Sequence, residues 1–182
     1  GVLVNQAPHQ LDLLQWFMGP ALEVSAYWAN LNHPFIEVED TAVASIRFAH
    51  GALGSIMVSN SQKPGIYAKV HVHGRNGASV GVQTDGGAMF IAGMSGVLEA
   101  PYNDIWTIPG EEPFLDGWKA DDEALFSGID ATTYFHARQF ADFAEAISTG
   151  RPASVSAAEG RSTVALIQAI YASGREGKPV VL

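Results

Sequence analysis

The chain has 182 residues, 47% of them hydrophobic, a formal net charge of −9 and no cysteine. Such length and apolar content support one folded domain and argue against disorder. The charge argues against a nucleic-acid partner, which needs clustered Lys and Arg. The missing cysteines exclude disulfides and thiolate metal sites and fit a reducing, cytoplasmic compartment. No apolar run approaches the roughly 20 residues of a membrane helix, so no membrane partner is expected.

In chain order, Leu11, Leu14 and Met18 recur at helical spacing and predict a helix from Gln6 to Met18, with Pro8 in its first turn, Asn5 as its N-cap and Gly19-Pro20 as its stop. The period then changes to two. Strands are expected at Leu22–Leu31, Glu39–Ala49 and Ala52–Asn60, the last two joined by a hairpin at His50-Gly51. Ala44, Ile46 and Phe48 point to one face, Ser45 and Arg47 to the other. Further strands are expected at Ile66–Gly74, Ser79–Gln83 and Ala88–Ala92, framed by turns at Asn76-Gly77 and Asp85-Gly86-Gly87.

Between Glu99 and Glu123 stand eight carboxylates and one lysine, so −7 of the total charge lies there among prolines and glycines. A solvated excursion is expected for that segment. Two helices then close the chain. The first is capped by Thr132 or Thr133 and runs to Ser148. The second is capped by Ser156 with Glu159 three residues on and runs to about Ser173; a short strand follows at Val180–Leu182. Strands grouped together rather than alternating with helices give the α+β class: an open, predominantly antiparallel sheet with helices packed on one face.

The chemistry-bearing motifs begin with absences. No GxGxxG follows a strand, no P-loop occurs and no GxSxG elbow is present, so this chain has no visible nucleotide site of its own. The positive signal is Asn5-Gln6-Ala7-Pro8-His9-Gln10-Leu11-Asp12. On a helix His9 and Asp12 lie three apart on one face, with Asn5 a turn earlier. Oxidising an alcohol to a carbonyl needs a base for the hydroxyl proton while hydride leaves carbon, and a helix-mounted histidine suits that task. From spacing alone a local structural role for both side chains is the commoner case.

Gly1 to Gly19 resembles the opening of the second domain of the Gfo/Idh/MocA oxidoreductases. The resemblance continues through Glu39-Asp40-Thr41-Ala42, through Phe48 to Gly54 and through Gly74-Arg75-Asn76-Gly77. It ends with Phe140 to Pro152, Ala169 to Ser173 and Gly177 to Val180, and is weakest over 92–130. What it implies is a fold like the C-terminal domain of glyceraldehyde-3-phosphate dehydrogenase. Residues 1–182 would form the substrate and oligomerisation domain of a dehydrogenase whose N-terminal Rossmann domain is absent from this chain. That enzyme would use NAD or NADP, held mainly by the missing domain, to oxidise a secondary alcohol of a sugar or polyol, or to reduce the ketone; this part alone would be inactive. His9 then corresponds to the family's general acid/base. Asn5 falls where many members have an aspartate assisting it, and Asp12 at an acidic position that binds substrate or holds the helix. Tyr134 and His136, starting the first C-terminal helix, fall where members bring polar groups to the substrate. The sheet face would form a homodimer or homotetramer. The family's catalytic lysine has no counterpart here.

Two lesser candidates and one alternative complete the reading. His71 and His73 have the i, i+2 spacing of a metal pair but no third ligand at a telling distance, so no metal is expected. Trp16, Trp28, Trp106 and Trp118 are each either core or a sugar-stacking surface, core being the commoner case. The alternative to an enzyme is a non-enzymatic sheet module for assembly or for binding a small polyol.

Overall fold

The computed structural model describes residues 1–61, 68–83 and 102–182. In chain order these form α1 (Val2–Asn5), α2 (Pro8–Met18), β1 (Ala21–Ala29), β2 (Thr41–Phe48), β3 (Leu53–Ser59), β4 (Lys69–His73), β5 (Ser79–Gln83) and β6 (Tyr102–Trp106). Then come α3 (Phe114–Ser127), α4 (Ala131–Thr149), α5 (Ala157–Glu176) and β7 (Val180–Val181). The backbone divides into two compact units, residues 1–66 with 158–182 and residues 67–157. Antiparallel open sheets with helices beside them make the chain α+β.

The first unit is a four-stranded antiparallel sheet in the order β3-β2-β1-β7. Period-two patterning decides its layers. Along β2 Ala42, Ala44, Ile46 and Phe48 are buried and their neighbours are not, and on β1 Ala21, Val24 and Ala26 share that side. Against this face pack Leu3, Ala7 and Leu11 from the N-terminal helices and Leu166, Ile167, Ala169 and Ile170 from α5, closing one core. The opposite face stays open, with Tyr27, Val43 and Met57 in register across three strands. His50 and Gly51 turn the chain between β2 and β3, where the Phe48 amide donates to the Ala52 carbonyl at 2.9 Å and Gly51 takes φ +86°.

The second unit holds a three-stranded antiparallel sheet, β4-β5-β6, with α3 packed against β6. The β4–β5 turn at Asn76-Gly77 closes through the Gly74 amide to the Ala78 carbonyl at 2.8 Å, with Gly77 at φ +82°. A register shift on β6 between the partners of Gly81 and Val82 leaves Asp104 as an extra residue. At the end of α4, Asp142 accepts from Arg151 Nη2 at 2.7 Å and from the amide and hydroxyl of Ser154 at 2.9 and 2.6 Å. These bonds fix the turn through Gly150 and Pro152.

Several expectations change at this level. The N-terminal helix is two helices: α1 ends at Asn5, and α2 starts at Pro8 with Ala7 in the cap position and no side-chain cap. Asn5 is therefore not an N-cap, because it already belongs to the preceding helical turn and Ala7 takes the cap position before Pro8. The acidic stretch is no mere excursion, since it contains β6 and most of α3. There charge density hid a half-buried strand and an amphipathic helix whose Trp106 and Trp118 pack together. Helix α4 starts at Ala131, before either threonine, and Thr133 donates instead to the Asp130 carboxylate at 2.7 Å. None of the four tryptophans lies in the buried core. The strand expected at Ala88–Ala92, the turn at 85–87 and the residues Ile66 and Tyr67 lie outside the described residues.

Candidate functional site

Pro8, with no N–H to lose, opens α2 and puts His9 in the helix's first turn. Below it Leu11 is buried in the core, which clamps the helix to the sheet and turns His9 outward. His9 is exposed, and among the described residues its ring has no hydrogen-bond partner. Asn5 is likewise exposed at the end of α1, and the two side chains do not hydrogen-bond to each other. Asp12 is committed. Its Oδ1 accepts from the buried Thr163 hydroxyl at 2.9 Å, pinning α2 to α5.

Beneath this surface lies a polar framework that motif reading did not resolve. Glu39 and Asp40 are both buried, ahead of β2 rather than inside it. Glu39 Oε1 accepts from the Leu3 amide at 3.0 Å and from the Tyr171 hydroxyl at 2.8 Å, while its carbonyl accepts from the Val2 amide at 3.1 Å. Glu39 thus supplies acceptors to the first-turn amides of α1, which lacks a side-chain cap of its own. Burial, and then the neighbouring Glu39 carboxylate, hold the Tyr171 hydroxyl above the ordinary tyrosine range. It is a fixed donor.

Asp40 organises the loop after β1. Its carboxylate accepts from the amides of Leu31 (3.0 Å) and Asn32 (2.8 Å), from the Thr41 hydroxyl (3.0 Å) and from His33 Nδ1 (2.9 Å). Burial alone pushes this carboxyl up, but the Leu31 amide, the His33 ring and the Asn32 amide outweigh it and hold the group well below the usual carboxylate range. Two adjacent acids ahead of an alternating apolar strand were the available signal for such a framework.

In the second unit Tyr134 and His136 stand in the first turns of α4. Tyr134 is half-buried, edge-on to Phe135 at 5.2 Å and under the Arg138 guanidinium at 5.7 Å, whereas His136 is exposed. Two residues apart on a helix, they point to different sides. His71 Nε2 meets Asp104 at 2.9 Å and His73 Nδ1 meets the Ser79 hydroxyl at 2.7 Å. The two imidazoles are each engaged separately. Among the described residues no cluster of three or more His, Asp or Glu side chains is placed to hold a metal, and no helix is long and apolar enough to cross a membrane.

The buried Glu39-Asp40 pair, the exposed His9 in a proline-started helix and the sheet order together invite comparison with known proteins. The family model for the Gfo/Idh/MocA oxidoreductases, C-terminal α/β domain, matches residues 1–182. The chain belongs to this oxidoreductase family. No curated protein matches the sequence significantly. Among solved structures, the WlbA dehydrogenase from Bordetella pertussis, in complex with NADH and UDP-GlcNAcA, is 26% identical with a TM-score of 0.77 over 100% of this chain and 48% of its own. An aldose-aldose oxidoreductase from Caulobacter crescentus complexed with glycerol (20% identity, TM-score 0.63) covers 100% of this chain and 48% of its own. A myo-inositol dehydrogenase from Corynebacterium glutamicum (20%, 0.61) covers 100% and 49%. At 20% identity these two speak for the fold. The Gfo/Idh/MocA chain described here spans about half the length of these relatives.

Proposed function

We propose that residues 1–182 form the substrate and oligomerisation domain of an NAD(P)-dependent dehydrogenase acting on a secondary alcohol of a sugar, polyol or related compound, or on the matching ketone. The observation that carries this is His9: an exposed, uncommitted imidazole on a helix clamped to the core, in a chain that belongs to this oxidoreductase family. In the oxidative direction a ring nitrogen of His9 takes the hydroxyl proton, and in the reductive direction it returns it. Asn5, at the end of α1, offers an amide to orient the substrate or the ring, and lacks the charge an aspartate would bring. Asp12 acts chiefly through Thr163, by fixing the helix that carries His9. Tyr134 and His136 are proposed as further substrate contacts.

The dinucleotide supplies the hydride acceptor when bound. Among the described residues no glycine-rich turn joins a strand to a helix N-terminus. We assign the cofactor to a Rossmann domain outside this chain, as the NADH-bound WlbA relative supports. The chain alone is then expected to be inactive. The open sheet face, with Tyr27 and Met57 each 76% exposed, is assigned to a homodimer or homotetramer contact, and the location to the cytoplasm.

The test is His9→Ala in the complete enzyme, which is expected to lower kcat by about 10² to 10⁴ with KM little changed. Unchanged turnover would return His9 to a structural role.

A further inference from the structure

In the second unit strand β6 and helix α3 border an open cleft of about 350 Å³. It falls inside the roughly 300–1,000 Å³ range of small-molecule sites. Its lining is Asn103, Trp106, Trp118, Asp121 and Asp122, all in the second unit. The two indoles stand edge to face, centroids 4.6 Å apart and planes at 83°, so one ring face and one ring edge border the space.

The polar groups here are uncommitted. Trp106 Nε1 is buried with no hydrogen-bond partner. Among the described residues the Asn103 amide and the carboxylates of Asp121 and Asp122 make no hydrogen bond or ion pair either. A buried donor left unpaired costs free energy unless something fills the space and accepts from it. Burial, and then the neighbouring Asp121 charge, raise the Asp122 carboxyl above its ordinary value.

This inventory selects the ligand. Among the described residues no Arg or Lys lines the cleft, and its two carboxylates disfavour phosphates, nucleotides and uronates. The indole N–H and the Asn103 amide call for hydroxyl oxygens. An apolar C–H face suits the indole ring, and the paired carboxylates call for a cationic donor. We propose that this cleft binds a small polyhydroxylated ring carrying a protonated amine, an amino sugar or amino polyol. The site stands independently of the chemistry assigned to His9.

The experiment uses the whole chain labelled with ¹⁵N and titrated with glucosamine, glucose and gluconate. Four tryptophans give four indole N–H signals, and Trp106→Phe identifies the one that matters. Glucosamine is expected to shift the Trp106 signal saturably and to bind about tenfold more tightly than glucose, as one charge-assisted contact allows. Gluconate is expected to leave it unmoved. Asp121→Asn with Asp122→Asn, which preserves shape, is expected to erase the preference for the amine while the chain keeps its melting temperature. A Trp106 signal that glucosamine does not move, equal affinity for glucose and glucosamine, a gluconate response, or a preference that survives the double substitution would each overturn the assignment.

Discussion

The two units of this chain are built on opposite terms. The first closes fourteen buried residues into one core, drawn from both N-terminal helices, two strands and α5. The second, among its described residues, buries only Val70 and Ala146 of its hydrophobic side chains, and leaves Phe140, Phe143 and Ile147 exposed along one stripe of α4. The first unit closes a core beneath one face of its sheet and can therefore hold His9 on a rigid helix, while the other face stays open. The second keeps uncommitted side chains at its surface, both the cleft beside α3 and the α4 stripe, where other molecules or other parts of an enzyme can reach them.

The comparison breaks most directly in the core. Phe48 is fully buried where β2 meets the helices, so Phe48→Ala is expected to destabilise the chain by roughly 3–5 kcal/mol, through lost transfer energy and the cavity left behind. Val70→Ala, in the thinner second unit, is expected to cost about 1–2 kcal/mol. Denaturant melts of the two variants check this. Similar losses would mean that the second unit is packed as tightly as the first.

Much of this contrast was legible from residue order. Alternation over Ala42 to Phe48 is a direct readout of a sheet with one wet face, and His50-Gly51 and Asn76-Gly77 declare their turns through the need for positive φ at glycine. The family was legible for the same reason, since its motifs sit at those turns and helix ends. What residue order concealed was commitment. Asp12 and His9 look equivalent on a helical wheel, yet Asp12 is taken by Thr163, 151 residues away, while His9 has no hydrogen-bond partner among the described residues. Glu39 and Asp40 read as the start of a strand because nothing local reveals that their acceptors serve α1 and residues 31–33. Over 99–123 the net charge outweighed the pattern. A helix with one apolar side tolerates many acids on the other, so charge density alone does not separate coil from amphipathic helix.

Acid separates the units more gently. Asp40 in the first unit and Asp142 in the second are both held below the ordinary carboxylate value of about 3.9. For Asp142 the causes are the Ser154 hydroxyl and amide and then Arg151, and they lower it to about 2. A depressed carboxyl contributes stability in full above its unfolded value and loses it as pH falls through its folded one. The turn after α4 is therefore expected to loosen between pH of about 4 and about 2, and Asp40, held lower still, to keep the 31–33 loop closed further into acid. Amide exchange followed on acidification checks the order: Ser154 should lose protection before Leu31 and Asn32. Asp142→Asn should loosen Ser154 at neutral pH and leave Leu31 untouched, whereas a simultaneous loss would show that the two units open together.

The smallest effect is the sharpest test of how the second unit uses its surface. Phe143 is 59% exposed and lies one turn from Phe140 and Ile147, so its ring has little core to lose. Serine and phenylalanine have similar helix propensities, which removes the backbone as a source of destabilisation. Phe143→Ser is therefore expected to change the stability of this chain by no more than about 0.5 kcal/mol, the ordinary range for surface positions. In a longer protein that carries this chain the same substitution should matter more if α4 is covered there. A change in oligomer mass by light scattering, or a lowered melting temperature in the longer protein alone, would show that the stripe is an interface. A loss above about 1 kcal/mol in the isolated chain would mean instead that the ring packs within the unit. The second unit would then own a core, and the contrast with the first would shrink to one of size.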